Sequence, residues 1–451
     1  MEVLGRSSMP RKKSSAQIHV ADGTGGMRRV DDLRFEAGEW PIQLIVSAEE
    51  AENWMAHVDA EAEERGWFPS SISQLEATEN SGTLSVHTAI GPSPATVDIV
   101  WERLRGKELK VRARPSDDPP LSLDVAHDFI NSVVERVRTR KTLRTHQRAL
   151  LTYDGLPWRG DLWLDADHRL GPPSRYPDTL LGPQIVIADA MIEGIGQRGV
   201  IANFQKRLRE LQIFLGFVLG IKLEISKFEE GWVPEVDAEG RLTDCKRRNI
   251  GYVELSPQEV FPKPGSTRPI ERRDVTRPGL GPFGLTSDMN EQWVSADIEQ
   301  LWNSFVRLPD SKREHLLRAG NAYLIAKSMW PDQRTAYAAF LVVACEALKP
   351  TGTGRRNKSI TIYDVIASLL SKVEAKRIRE LSVPPHEVRH GHLHRGELAA
   401  GELLPMLVHD YFMDPSFDEM LRELSPITRQ CLIEWLRNGG SYKVVRCPPA
   451  S

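Results

Sequence analysis

Residues 338–348 read Ala-Ala-Phe-Leu-Val-Val-Ala-Cys-Glu-Ala-Leu, an apolar run that carries a single charged side chain, Glu346. Apolar residues at this spacing predict a helix that belongs to a hydrophobic core. Helical patterns continue on both sides of the run and are interrupted by prolines and glycines. The sequence therefore predicts an all-helical domain over residues 289–440. The core positions expected within the run are Phe340, Val343, Ala344 and Ala347.

Residues 29–255 show a mixed pattern of helices and short alternating strands. We predict an α+β domain there that senses a trigger or positions a substrate, a role for which the sequence shows no motif. A capping box at residues 47–50 begins a helix that contains Trp54, Met55 and Val58. Further helices are predicted over residues 123–137 and 203–219. Strands are predicted over residues 83–90, 96–101, 108–111, 161–164, 184–187 and 222–225, with a hairpin turn at residues 105–107.

Three segments outside these domains have the composition of connectors and tails. Residues 256–288 are rich in proline and glycine, which predicts a linker or an extended wrapping segment. Residues 1–28 contain Arg11-Lys12-Lys13 and few large apolar residues, which predicts a flexible basic tail. Residues 441–451 form a C-terminal tail. The predicted fold class is thus multidomain, an N-terminal α+β region followed by an all-α helical bundle.

Composition restricts the class of protein. The chain has 451 residues and a formal net charge of −3, so contact with nucleic acid would have to come from local basic patches. Its four cysteines include no CxxC pair, which argues against a zinc ribbon or a disulfide scaffold. No apolar run is long enough to span a bilayer. We therefore expect a cytoplasmic protein that does not bind membranes. The cysteines are Cys245, Cys345, Cys431 and Cys447.

The stretch with the most candidate catalytic side chains is residues 388–397, Val-Arg-His-Gly-His-Leu-His-Arg-Gly-Glu. It follows Pro384-Pro385, so a helix is expected to begin just after those prolines. Histidine exchanges protons near neutral pH, and the planar fork of arginine pairs with phosphate oxygens. RNA cleavage without a metal needs these groups. A base must take the 2′-hydroxyl proton, an acid must protonate the leaving 5′-oxygen, and a cation must face the phosphorane.

This stretch resembles the Apea-like branch of the HEPN family, whose motif often reads Arg-Asn-x-x-x-His-x-Gly-Glu. Arg389, His394, Gly396 and Glu397 match that pattern, and a polar His390 stands where the family usually has Asn. The Glu-Ala-Leu sequence at residues 346–348 also resembles the end of the family's preceding helix.

The resemblance implies a metal-independent endoribonuclease that cleaves RNA by attack of the 2′-hydroxyl and uses no cofactor. It implies catalytic roles for Arg389 and His394, with His390 and Glu397 in support. HEPN domains usually pair so that both motifs line one cleft, which implies a homodimer formed through the C-terminal domain. The family further implies a role in bacterial defence against phage, or a toxin-like role, with tRNA among the candidate substrates. The trigger is not assigned.

Two other function classes stay open. One is a catalytically inactive HEPN module that binds RNA or a protein partner, which is compatible with His390 in place of Asn. The other is a metal-dependent hydrolase, because His386, His390 and His394 would share one helical face at positions i, i+4 and i+8. Arg389 favours the ribonuclease, since an adjacent positive charge opposes binding of a dication.

The remaining residues of the motif also have a simpler interpretation. His392 is better explained as part of a solvated helix end than as a catalytic group. Arg395 and Glu397 could pair with each other across the same turn.

Overall fold

Contacts divide the chain into two compact units. The first comprises residues 1–143 and 193–200, and the second comprises residues 144–192 and 201–451. This division differs from the predicted domain limits of 29–255 and 289–440. Those limits describe parts of the chain expected to fold independently, and they stay predictions. The computed structural model describes residues 19–21, 27–29, 41–46, 53–69, 81–88, 94–104, 108–115, 121–172, 184–225, 230–236, 242–249, 260–273, 292–350, 360–398, 402 and 415–447.

The first unit contains an antiparallel sheet with two helices that pack on each other. Its elements are β3 (Ile42–Val46), α1 (Trp54–Glu64), β4 (Phe68–Pro69), β5 (Ser81–His87), β6 (Thr96–Arg103), β7 (Leu109–Pro115) and α2 (Leu123–Thr139). The strand order is β3-β7-β6-β5-β4. Trp54, Val58 and Phe129 belong to the core of this unit. Within the predicted basic tail, β1 (His19–Ala21) and β2 (Met27–Arg29) form an antiparallel pair.

The second unit contains a five-stranded sheet of order β12-β8-β11-β10-β9. Its strands are β8 (Leu143–Tyr153), β9 (Leu162–Trp163), β10 (His168–Gly171), β11 (Gln184–Gly194) and β12 (Leu223–Ile225). The helix α3 (Gly196–Leu219) connects β11 to β12. Two smaller pairs are β13 (Glu230–Val236) with β14 (Leu242–Asn249), antiparallel, and β15 (Glu271–Arg273) with β16 (Trp293–Ser295), parallel.

Most of the predicted elements are present with shifted limits. Every helix and strand predicted over residues 54–225 overlaps a described element of the same type. The strand β8 was not predicted, because its first half carries the polar residues Thr145 to Arg148 where a buried strand would show apolar ones. The capping box at residues 47–50 and the turn at residues 105–107 lie outside the described residues.

Buried charged side chains connect the strands of the five-stranded sheet in the second unit. Asp189 of β11 is 1% exposed and accepts hydrogen bonds from His146 Nε2 at 2.7 Å and Arg148 Nε at 2.7 Å, both on β8. Arg169 of β10 donates from Nη1 to Asp189 at 2.6 Å and from Nη2 to Asp161 at 2.5 Å. Burial alone would raise the pKa of Asp189, but the hydrogen bonds from His146 and Arg148 outweigh it and lower that pKa.

The described part of the predicted linker, residues 260–273, contains a turn at residues 264–267 and is attached to the sheet through Asp161. Asp161 N–H donates to the Arg268 carbonyl at 2.8 Å, and Ile270 N–H donates to the Asp161 carbonyl at 3.0 Å. The ring of Phe261 contacts those of His146 and Trp163 edge to face.

From residue 298 onward, the elements in the described part of the chain are helices. They are α4 (Ile298–Val306), α5 (Asp310–Met329), α6 (Arg334–Glu346), α7 (Ile362–Leu369), α8 (Lys372–Arg379), α9 (Pro385–Arg395) and α10 (Pro415–Arg437). The strand β16 is an exception inside the predicted helical range of residues 289–440. Its Val294 is fully buried, and the strand pairs with β15.

The helix α6 lies at the centre of these helices, in contact with α5, α7, α9 and α10. Because neighbouring helices cover α6 on several sides, its buried residues are not confined to one face of the helix. Ala344 is fully buried as predicted, whereas Phe340, Val343 and Ala347 are only half-buried. The other deeply buried residues of the run 338–348 are Ala338, Ala339, Leu341, Val342, Cys345 and Leu348.

We predict that Asp189→Asn destabilises the protein by about 3–5 kcal/mol, because it removes the buried charge that pairs with the buried Arg169 and the half-buried Arg148. Asp167→Asn is the matched control, since the Asp167–Arg144 pair is exposed and contributes less than about 1 kcal/mol. Urea unfolding followed by circular dichroism measures both changes. Equal stability of the two variants would contradict a structural role for the Asp189 network.

Candidate active site

The motif of residues 388–397 forms the second half of helix α9 and the turn that ends it. The helix begins at Pro385, as the two prolines predict. It ends at Gly396, whose φ of 68° lies in the left-handed region that glycine adopts at little cost. Gly396 N–H donates to the His392 carbonyl at 3.0 Å, and Glu397 N–H donates to the Gly391 carbonyl at 3.2 Å. The chain is thereby turned back over the end of the helix.

Arg389 is directed toward the C-terminal end of α6. Its Nε lies 3.3 Å from Glu346 Oε2, and Lys349 Nζ lies 2.9 Å from Glu346 Oε1. One carboxylate therefore faces two cations, and this group has a net charge of about +1 at neutral pH. The two segments that carry the family resemblance, around Glu346 and around Arg389, thus meet in space.

His390 and His394 lie one turn apart on α9, and both are exposed. Their ring centroids are 4.9 Å apart with the planes tilted by 46°. These two imidazoles are the exposed acid–base groups at this end of the helix, and a neutral imidazole can accept a proton while a charged one can donate it.

Arg389 and His394 are not brought together within one chain. Five residues along a helix correspond to a rotation of about 140°, so their side chains leave α9 in different directions. Arg389 contacts Glu346, whereas His394 contacts His390. One copy of the motif therefore does not place both predicted catalytic groups around a single phosphate.

Glu397 closes the helix end. Its carboxylate pairs with Arg395 through two contacts, Oε1 to Nε at 2.6 Å and Oε2 to Nη2 at 2.9 Å. Its backbone carbonyl lies 3.1 Å from His392 Nδ1. A Cβ added to the buried Gly391 would collide with the Glu397 carboxylate. The pairing of Arg395 with Glu397 across the turn, expected as the simple interpretation of these residues, is confirmed.

His386, in the first turn of α9, is held by a neighbouring helix. Its Nδ1 lies 2.7 Å from the Tyr363 hydroxyl, and the guanidinium carbon of Arg379 lies 4.6 Å from the centre of the Tyr363 ring. Within the described ranges, no group of three or more His, Cys, Asp or Glu side chains is placed to share a metal ion. The face of His386, His390 and His394 is therefore not assembled as a ligand set.

The C-terminal segment fixes the helix that carries Tyr363. Asp364 caps α7 together with Thr361, and it accepts hydrogen bonds from Cys447 N–H at 2.8 Å and from Arg446 Nη1 at 3.0 Å. Ser368 Oγ accepts from Val445 N–H at 2.8 Å. Residues 441–447, the described part of the predicted tail, are thus attached to α7.

Sequence reasoning missed Glu346, Lys349, Tyr363 and Arg379 as members of this region. Glu346 had a signal, since it is the one charge in an apolar run. Tyr363 and Arg379 had none, because Tyr363 contacts His386 of α9 and Arg379 contacts the Tyr363 ring, both across long intervals of sequence.

Comparison of the chain with protein-family models, with curated proteins and with solved structures gives no match in any of the three. The HEPN resemblance therefore rests on the two short segments around Glu346 and Arg389. Along the described part of the chain, no helix is both long and apolar enough to cross a membrane.

Proposed function

We propose that the protein is a metal-independent endoribonuclease with a HEPN-like helical domain, and that Arg389 and His394 carry the reaction. The observation that carries the proposal is the group of Arg389, Lys349 and Glu346, formed where α9 contacts the C-terminal end of α6, together with the exposed His390 and His394 on α9. Positive charge attracts the RNA phosphate, and imidazole supplies proton transfer beside it.

The reaction uses groups that the chain contains. An imidazole, His394 in our assignment, takes the proton of the 2′-hydroxyl, and the 2′-oxygen attacks the adjacent phosphorus. The bond from phosphorus to the 5′-oxygen breaks, and that oxygen takes a proton from a second imidazole. The products are a 2′,3′-cyclic phosphate and a 5′-hydroxyl. DNA lacks the 2′-hydroxyl and is not a substrate.

Arg389 stabilises the charge that develops on the phosphorane oxygens. Glu346 contacts its Nε, which leaves the two Nη groups in position to donate to phosphate as a fork. Glu346 orients the guanidinium, His390 supports the neighbouring imidazole, and Glu397 keeps the end of α9 closed through Arg395.

The complete site takes residues from two copies of the chain. Because Arg389 and His394 leave α9 about 140° apart, one phosphate cannot easily contact both from the same copy. A two-fold interface brings the same surface of both copies together, so both Arg389 and both His394 side chains would line one cleft. We therefore propose a homodimer formed through the C-terminal helices.

The biological setting follows from the resemblance alone. HEPN proteins of this kind act in bacterial conflict with phage, so we propose a defence or toxin-like role with RNA, tRNA included, as the substrate. The α+β region before the helices would sense the trigger or position the substrate.

A second candidate function is binding of RNA or a protein partner without cleavage. The separation of Arg389 and His394 on α9 supports it, since one copy of the motif does not place both groups at a single phosphate. End-group analysis of total RNA and tRNA after incubation with the protein separates the two functions.

Arg389→Ala and His394→Ala should each lower the cleavage rate by at least about a hundredfold, the usual effect of losing a charge-stabilising or proton-transferring group. His392→Ala is the control on the same helix, because its Nδ1 faces the Glu397 carbonyl, and its effect should be much smaller. Initial rates on a labelled RNA measure all three. Wild-type cleavage by His394→Ala would refute the assignment of His394.

Activity should persist in EDTA. Arg389 is permanently charged, the 2′-hydroxyl is an internal nucleophile, and Arg389 and Arg395 flank the histidines and disfavour a bound dication. Cleavage assays with and without EDTA, together with metal analysis of the purified protein, make the measurement. Complete inhibition that zinc or manganese reverses would transfer the assignment to His386, His390 and His394.

Mixing two inactive proteins, Arg389→Ala and His394→Ala, should restore cleavage. A mixed dimer contains one intact combination of Arg389 from one copy and His394 from the other. Each variant mixed with itself is the control, and sedimentation of the full chain gives the oligomeric state. A monomer that cleaves RNA, or a mixed dimer without activity, would exclude the composite site.

A further inference from the structure

The face of the five-stranded sheet that carries Asp189 also carries a histidine whose hydrogen-bonding direction is fixed. His146 Nε2 lies 2.7 Å from Asp189 Oδ1, and the His146 side chain is 9% exposed. Burial alone raises the pKa of Asp189, but hydrogen bonds from His146 and Arg148 lower it, so the carboxylate is ionised and can only accept. His146 Nε2 therefore donates, and Nδ1 of the neutral ring keeps a lone pair that accepts a hydrogen bond.

Two buried polar atoms on this face are unpaired. Within the part of the chain that the structure describes, neither His146 Nδ1 nor Trp163 Nε1 has a hydrogen-bond partner. The indole N–H of Trp163 can only donate, whereas Nδ1 of the neutral His146 accepts. Buried polar atoms are normally paired, because an unpaired one has lost its hydrogen bonds to water without replacement. One acceptor and one donor are thus available here to a ligand with the complementary groups.

The ring of Phe261 lies against both of these side chains. Its centroid is 5.1 Å from that of His146 and 5.6 Å from that of Trp163, edge to face in each case. A phenyl ring has the shape of a planar six-membered ligand but offers neither an N–H nor a carbonyl oxygen. Phe261 therefore fills the position of such a ring without pairing the two nitrogen atoms.

The segment that carries Phe261 is attached to the sheet at its other end. Asp161 N–H donates to the Arg268 carbonyl at 2.8 Å. Residues 263–266, all exposed, separate this attachment from the half-buried Phe261, and the preceding Val260 is 79% exposed. The ring of Phe261 can therefore leave the sheet face while the bonds at Asp161 stay intact.

The charges beneath the ring favour a neutral ligand. Arg169 pairs with both Asp161 and Asp189, and Arg148 pairs with Asp189. These two cations and two anions sum to zero, so the group has no net positive charge with which to attract an anion. A pyrimidine base such as uracil is a neutral six-membered ring with an N–H beside a carbonyl. It matches the ring position, the acceptor and the donor together.

We propose that this part of the sheet face binds a pyrimidine base in the position of the Phe261 ring, with the base N–H donating to His146 Nδ1 and a base carbonyl accepting from Trp163 Nε1. Phe261 is then an internal competitor that moves out when the base binds. The affinity of the wild-type protein is lower than that of the open site, in proportion to the fraction of molecules that are open. The site does not depend on the proposed ribonuclease activity.

The test is isothermal titration of the full-length protein with uridine. Phe261→Ala removes the competing ring and should lower the Kd at least about tenfold relative to wild type. Val260→Ala changes the neighbouring exposed residue, is the matched control, and should leave the Kd as in wild type. Uridine methylated at N3 has no base N–H and should bind the Phe261→Ala protein much more weakly than uridine.

Two further substitutions, each added to Phe261→Ala, locate the base. His146→Ala removes the acceptor, and Trp163→Phe keeps a ring but removes the donor. Each should raise the Kd for uridine about fivefold or more, since each deletes one hydrogen bond in a buried setting. Trp163→Phe leaves the bonds of Asp189 in place, so it keeps the test decisive if His146→Ala does not fold. A 2′-O-methyluridine trinucleotide that binds more tightly than uridine would identify the ligand as a base within a chain, and weaker binding would identify a free one.

Three outcomes would overturn the site. The first is a Phe261→Ala protein that binds uridine no more tightly than wild type does. The second is binding of toluene as tightly as uridine, because that would show only an apolar cavity left by the missing ring. The third is unchanged uridine binding after Trp163→Phe and after His146→Ala in a folded protein.

Discussion

The contact between Glu346 and Arg389 is the constraint on which the candidate site depends. It joins the end of a helix covered by four others to the helix that carries the histidines. Because α6 contacts four other helices, the backbone that carries Glu346 is held in place, and the Glu346 carboxylate lies beside the Arg389 guanidinium. Lys349 lies beside the same carboxylate, so the two cations Arg389 and Lys349 outnumber the one anion, Glu346. A guanidinium held in this way loses less conformational freedom when phosphate binds.

The sequence was sufficient where the signal is local. Apolar periodicity located α6 and indicated helices in the chain around it, and Pro384-Pro385 marked the start of α9. It was insufficient where a residue is buried by a partner far along the chain. His146 and Arg148 looked unlike buried strand residues because their partner, Asp189, is about forty positions away. The same holds for the half-buried Phe340 and Val343. The spacing of apolar residues within α6 does not show which of its faces the neighbouring helices cover.

For the site itself, the sequence identified the chemical types but not their arrangement. The spacing of Arg389 and His394 suggested one constellation, yet helix geometry sends the two side chains in different directions. The three histidines suggested a metal face, yet Tyr363 holds one nitrogen of His386 and thereby gives that residue a different environment from the other two. Residues of one type on one helical face can therefore serve different purposes, decided by the neighbouring helix.

The attachment of the C-terminal segment bears on how the protein can be dissected. Cys447 and Arg446 both bind Asp364, the residue that follows Tyr363 and caps the same helix. A fragment that stops after helix α10, although it would retain every helix described here, removes these bonds and leaves the first turn of α7 without them. The smallest fragment suited to crystallisation or exchange experiments on the site therefore extends at least through Cys447.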